Sequence, residues 1–287
     1  MITTYNAENS LKSIYLSVIT DLLNTQTNPL LTKIEKTSND VWGIEIRKAI
    51  EHNGKYIQLV STLKNFYGQV EISEKAIRVF NNNGIVNFMN LANDEFEKFL
   101  SQARNDFSRM LFSEERDSKW LTGIADIFDI TKPLYGHERS ELPLFMPIIK
   151  EVTELNDIAI EQAIDEVELN GGKVDFIAVS RDVKYAYVEQ HKIIDIMQLN
   201  GGFKTLSHNG IPMVFDKSIP QGTMYLLDTS KFALHQLCDW EWLEDECGRI
   251  LRKTPNKDTY TATLVKYGDL ICEAPNCQAM IKLTKNN

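Results

Sequence analysis

Between Phe96 and Leu111 the apolar residues Phe96, Phe99, Leu100, Ala103, Phe107, Met110 and Leu111 recur at helical spacing, with Glu97, Lys98, Arg104, Asp106 and Arg109 between them. This is one apolar stripe along an amphipathic helix of roughly five turns. A stripe this rich in phenylalanine has to be covered, because a helix draws most of its stability from the surface it packs on. It reads as core rather than as a cofactor-binding face. The fold must therefore supply a sheet or further helices long enough to lie along it.

From Thr37 to Ser73 the period changes to two. Ile44, Ile46 and Ile50 alternate with Glu45, Arg47 and Glu51, and further on Phe66, Val70 and Ile72 alternate with polar neighbours and Gly68. The Asn53-Gly54 pair supplies the positive φ angles of a tight turn, so the segment reads as one long hairpin over 37–73. A two-stranded ribbon with few large apolar residues near its tip is not stable alone in water and needs another surface. The stripe Leu11, Ile14, Tyr15, Val18, Leu22 and Leu23 raises the same need. It predicts a helix capped by Asn9 or Ser10 and ending near Asn24, lying on its own core or on a neighbouring subunit.

The remaining pattern is mixed. Ser73 opens a short helix that stops at Asn81-Asn82-Asn83-Gly84, and residues 113–150 read as irregular with short strands. Beyond a boundary near 150 come a helix from Asn156 to Asn170, a strand from Val174 to Val179 and a helix from Ser180 to about Met197. Strands follow at Gly210–Pro220 and Thr223–Asp228, with a short helix from Thr229 to Leu237. The C-terminal part is read as entirely β, with strands at Trp240–Leu243, Arg249–Arg252, Tyr260–Val265, Asp269–Glu273 and Gln278–Leu283. The class is α+β, with an α/β layer in its second half.

Chemistry is thin. The chain carries 31 basic and 40 acidic residues, a net charge of −9, which argues against neutralising phosphates over a broad basic face. Cys238, Cys247, Cys272 and Cys277 form no C-x-x-C pair, which fits a reducing compartment. The N-terminus has no basic region followed by an apolar core and no run approaches membrane-spanning length, so a soluble, non-exported protein is expected. There is no G-x-S-x-G, no G-x-G-x-x-G and no Walker loop. His235 and Cys238 stand one helical turn apart, a spacing that could activate a thiolate and is as easily accidental. Asp239, Glu241, Glu244, Asp245 and Glu246 could offer carboxylates to a hard cation. Asp239 and Glu241, however, alternate with Trp240 and Trp242 as the wet side of a half-buried strand would. No catalytic residue, cofactor or metal ligand is assigned.

Several segments, in serial order over essentially the whole chain, resemble the major capsid proteins of tailed bacteriophages with the Hong Kong ninety-seven type of fold. The arm SLKSIYLSVITDLLNTQTNPLLTKIEKTS leads to Trp42-Gly43-Ile44, then to Phe66-Tyr67-Gly68-Gln69-Val70-Glu71-Ile72-Ser73 and the long helix. Trp120-Leu121-Thr122-Gly123-Ile124, Leu134-Tyr135-Gly136-His137-Glu138-Arg139-Ser140 and GKVDFIAVS follow. Tyr225-Leu226-Leu227-Asp228, Trp240-Glu241-Trp242, Tyr267-Gly268-Asp269-Leu270 and Ala274-Pro275 close the series.

The resemblance implies an N-terminal arm (1–36), an extended β-hairpin loop (37–73), a peripheral domain with a long spine helix (74–150), an axial domain (151–240) and C-terminal strands returning to the peripheral domain (241–287). It implies a virion protein, not an enzyme, that assembles with itself through hexamers and pentamers in the host cytoplasm. A separate scaffolding protein and a portal are its implied partners, and double-stranded DNA is enclosed without specific binding. The residues implied in assembly are Leu11, Tyr15 and Leu22 of the arm and Trp42, Ile44, Ile46, Asn53, Gly54, Phe66 and Val70 of the hairpin loop. Certain relatives join subunits by Lys–Asn isopeptide links; Lys55, Lys64 and Asn276 are the residues considered for one here, and no link is assigned to them. An encapsulin-type compartment shell and a soluble metal-dependent α/β enzyme are the alternatives.

Overall fold

The computed structural model describes residues 8–9, 11–12, 16–75, 77, 85–191 and 195–284, with backbone only for 85–94 and 200. Tyr15 and most of the expected helix from Ser73 to Asn81 lie outside the described residues. The first elements are α1 (Leu16–Gln26), β1 (Glu35–Thr37), β2 (Val41–Trp42), β3 (Glu45–His52), β4 (Lys55–Thr62) and β5 (Lys64–Ser73). The long helix α2 (Ile85–Phe112), the short α3 (Ile124–Phe128) and β6 (Ile148–Val152) follow. Next come α4 (Asp157–Leu169), β7 (Phe176–Val179), α5 (Arg181–Gln190), β8 (Asp195–Gln198), β9 (Lys204–His208), β10 (Ile211–Phe215) and β11 (Thr223–Leu227). The chain closes with β12 (Phe232–Gln236), β13 (Glu241–Trp242), β14 (Arg252–Lys253), β15 (Thr259–Cys272) and β16 (Ala279–Leu283).

The stripe on α2 is buried as its spacing requires: Phe96, Phe99, Leu100, Ala103, Phe107 and Leu111 all belong to the main core. At 28 residues α2 is about 42 Å long. It lies against β5, whose Phe66, Val70 and Ile72 are buried while Tyr67, Gln69 and Glu71 are exposed. Phe66 and Phe107 bring their ring centroids to 5.6 Å. Gly68 is the close point of this packing, since a Cβ there would sit 1.9 Å from Phe99 Cε2.

β5 pairs antiparallel with β15 from Ser73↔Thr259 to Lys64↔Gly268. The other edge of β15 is served in turn by β12, β13 and β14, and β1 adds parallel to β12. Two expectations change here. The strands read at Tyr260–Val265 and Asp269–Glu273 are one strand, and Gly268 between them marks a close backbone approach, with His235 O 2.7 Å from where its Cβ would lie. The helix read at Thr229–Leu237 is a single turn followed by β12, because Phe232 and Leu234 enter the core at period two.

The second sheet has the order β6-β16-β11-β7-β10-β9-β8. Its central strands are buried on both faces, so β7 and β11 read as unbroken apolar runs. Phe176 and Ala178 join the α2 side, whereas Ile177 and Val179 join a second core with Ile160, Ile164 and Val167 of α4 and Val183 and Tyr187 of α5. Asn156 caps α4 by accepting from Ala159 N at 2.8 Å. The helix expected to reach Met197 ends at Gln190, and 195–198 instead form the edge strand β8 on β9. The strands of 241–287 divide between the two sheets. β16 inserts between β6 and β11 of this sheet, with Ala279, Met280 and Ile281 buried, while β12, upstream of 240, already belongs to the six-stranded sheet.

Gly68→Ala is expected to destabilise the chain by about 1–3 kcal/mol, because the Phe99 ring must leave its rotamer to admit a methyl group. Chemical denaturation checks this, and an unchanged midpoint would refute the packing described.

Candidate assembly surface

The tight turn expected at Asn53-Gly54 is formed, with φ of 51° and 73° respectively. β3 and β4 pair from His52↔Lys55 to Glu45↔Thr62, and β2 adds a third strand at the root. The hairpin is therefore 45–62, not 37–73. Residues 64–73 keep the same alternation but pair with β15 in the body, and alternation alone does not name a strand's partner.

The ribbon lies on its own chain. Ile46, Ile50 and Leu59 are buried in the main core, and the outer edge of β4 is covered by a turn: Val60 N donates to Tyr135 O at 3.1 Å and His137 Nε2 to Gln58 O at 2.8 Å. At the root, Asp269 of β15 is fully buried and accepts from the Ser61 hydroxyl, from Thr122 N at 2.6 Å and Oγ1 at 2.9 Å, and from Leu270 N at 2.9 Å. Burial pushes its carboxyl above the usual range, and these donors offset part of that cost. Lys48 lies 3.4 Å from both Asp40 and Glu273, fastening the ribbon's middle.

The opposite face of the ribbon is open. Trp42 is 70% exposed, Ile44 77% and Tyr56 80%, with Val60 beside them. Register puts Trp42 opposite Glu45, Tyr56 opposite Glu51 and Val60 opposite Arg47, so the three apolar residues share that face with charged neighbours. Arg47 and Glu45 pair at 2.7 Å. Sequence reasoning missed Tyr56 and Val60. The signal was there, since they alternate with Ile57 and Leu59, which pack inward.

Of the residues expected to serve assembly, Leu11, Ile46, Phe66 and Val70 are buried in the chain's own core and are not on a surface. Leu22 is half-buried against that core; Trp42, Ile44, Asn53 and Gly54 are exposed. α1 rests on α2 and β13, with Ile19 and Leu23 buried and Trp242 Nε1 donating to Leu11 O at 3.3 Å. Under its end, Lys266 of β15 is buried and donates to Asp239 Oδ1 at 2.8 Å; Asn24 Nδ2 donates to Asp239 Oδ2 at 2.8 Å. Lys36 nearby is held down to about 8 by burial and then by the charge of Lys266.

Two other candidates lose their chemistry. His235 Nδ1 donates to Asn39 O at 2.9 Å, and burial followed by Glu241 raises the Cys238 thiol, so no thiolate pair forms. Among the described residues no group of three or more His, Cys, Asp or Glu is placed to hold a metal, and no helix is long and apolar enough to cross a membrane.

No protein-family model and no curated protein matches the sequence. Solved structures do match, and over nearly the whole chain. A cyanophage A-1(L) capsid subunit superposes with a TM-score of 0.60 at 12% identity, covering 91% of this chain and 94% of that one. The encapsulin of the holo-SrpI complex from Synechococcus elongatus PCC 7942 gives 0.59 at 12% identity, with 91% of each chain covered. The virus-like particle from Pyrococcus furiosus gives 0.59 at 12%, covering 96% and 99%.

The chain has the Hong Kong ninety-seven type capsid fold.

Ser61→Ala should cost about 1–3 kcal/mol, because the buried Asp269 loses a donor. Faster proteolysis within 45–62 together with a lowered denaturation midpoint checks it. Lys36 gives a pH dependence of known sign. Its folded value lies below its unfolded one, so between about pH 8 and about pH 10 the unfolded chain binds more protons and stability rises with pH. Melting curves of Lys36→Met should lack that rise relative to wild type, and parallel curves would contradict it.

Proposed function

We propose that the chain is the major shell protein of a tailed phage or prophage, assembling with itself through hexamers and pentamers around double-stranded DNA. The observation that carries the reading is the match of this fold, over 91–96% of the chain, to an encapsulin, a virus-like particle and a phage capsid. The open face of the ribbon supports it, because Trp42 and Tyr56 stand exposed there among charged neighbours and offer aromatic anchors to another chain. In this reading the seven-stranded sheet with α4 and α5 is the axial layer, and the six-stranded sheet with α2 the peripheral one. Trp42, Ile44 and Tyr56 meet the neighbouring subunit. The net charge of −9 suits a container that does not grip phosphates. A scaffolding protein, a portal and assembly in the host cytoplasm belong to the same proposal.

The encapsulin reading stands second, on one observation: an encapsulin and a cyanophage capsid match with equal coverage of this chain and nearly equal scores. The contents of purified particles separate the two, nucleic acid for the first and protein cargo for the second.

Negative-stain electron microscopy of concentrated protein, alone and with the product of a neighbouring small gene, tests the class. Closed shells, rings or tubes are expected; small uniform particles in both preparations would overturn it. A Trp42→Ser, Tyr56→Ser double variant should keep the wild-type circular dichroism and melting temperature and lose these assemblies. Normal assembly of that variant would remove the ribbon face from the interface.

A further inference from the structure

Lys266, Asn24 and Asp239 form a part-buried cluster that neither the fold comparison nor the shell reading uses. Lys266 is 2% exposed on the longest strand, β15, and its Nζ lies 2.8 Å from Asp239 Oδ1 and 3.4 Å from Asn24 Oδ1. Asn24 sits near the end of α1, 242 residues away in sequence, and its Nδ2 donates to Asp239 Oδ2 at 2.8 Å. One carboxylate thus touches both nitrogens, the amine through one oxygen and the amide nitrogen through the other. Trp240 N also donates to Oδ1 at 2.8 Å and fixes the carboxylate's orientation. The Lys266 ammonium lies 5.9 Å from the centroid of the Trp240 ring, which Phe107 meets edge-on at 6.0 Å.

This is the geometry of an amine held beside a primary amide with a proton carrier bridging nucleophile and leaving group. We propose that Lys266 and Asn24 join in an intrachain isopeptide bond, with Asp239 as the proton carrier. Lys266 Nζ passes one proton to Asp239 Oδ1 and attacks Asn24 Cγ as the amine. A second proton leaves Nζ as the Nζ–Cγ bond forms. The Cγ–Nδ2 bond then breaks, and Nδ2 takes both protons through the carboxylate and departs as ammonium. Asp239 ends as the carboxylate it began as, and no oxidant or co-reactant enters.

The surroundings favour each step. Burial, opposed by the hydrogen bond and charge of Asp239, lowers the Lys266 amine below the ordinary lysine value. Asp239 keeps 42% of its side chain open, which gives the ammonium a way out. The product would tie the arm helix to the central strand, so the arm could not detach without breaking a covalent bond. The inference is independent of the shell reading, because every participating atom belongs to one chain.

Intact-mass spectrometry of the purified full chain tests it. The expected mass is about 17 Da below the sequence mass, the loss of one ammonia, with a branched tryptic peptide joining the Asn24 and Lys266 segments. Asn24→Ala keeps the Lys266–Asp239 pair and should fold at full mass, and Asp239→Asn should abolish or strongly slow the loss. A wild-type chain at sequence mass after prolonged incubation overturns the proposal. So does a mass loss without the branched peptide, which would mean cyclisation at an asparagine instead.

Discussion

The backbone ladder between β5 and β15 is the constraint on which the rest depends. Ten consecutive residue pairs, from Ser73↔Thr259 to Lys64↔Gly268, join the stretch before the long helix α2 to a strand near the C-terminus. That ladder puts Phe66, Gly68 and Val70 in line to receive α2, and places Asp269 where Ser61 and Thr122 can donate to it. It also carries Lys266 under the end of α1. The helix α1, the ribbon and α2 are therefore referred to one strand. The proposed shell role would need extended parts that leave a rigid body at fixed angles, and a long central strand supplies that reference.

The ribbon shows how one short segment divides its work between stability and contact. Its period of two sends Ile46, Ile50 and Leu59 into the body and leaves Tyr56 and Val60 facing outward with Trp42. Glu45, Arg47 and Glu51 lie among the outward apolar groups, so the face is mixed rather than greasy. In the proposed shell, that composition would leave aromatic anchors for a partner without a wholly apolar surface on the free subunit.

Much of this was legible in the sequence, for identifiable reasons. The stripe from Phe96 to Leu111 and the Asn53-Gly54 turn are local signals, and both elements formed where they were read. The failures involve partners. Phe66 and Val70 looked like a return strand of the hairpin because their alternation matches Ile46 and Ile50, yet they pair with residues almost two hundred positions away. Gln278–Leu283 reads as a strand and forms one at Ala279–Leu283, but nothing in five apolar-rich residues says that its partners are β6 and β11. The face of the ribbon was equally hidden. The resemblance implies contact for Leu11 and Ile46 through the arm and hairpin loop that contain them, yet as apolar side chains both are buried in the chain's own core.

On the proposed function, the outward face of the ribbon is where one copy of the chain meets the next. Hydrogen–deuterium exchange by mass spectrometry, on assembled particles and on dissociated subunits, addresses it directly. The account predicts that peptides spanning 41–62 exchange more slowly after assembly, while those from the central strands β7 and β11, already buried in the free subunit, do not change. Equal exchange across 41–62 in both states, with slowing confined to other surfaces, would contradict it.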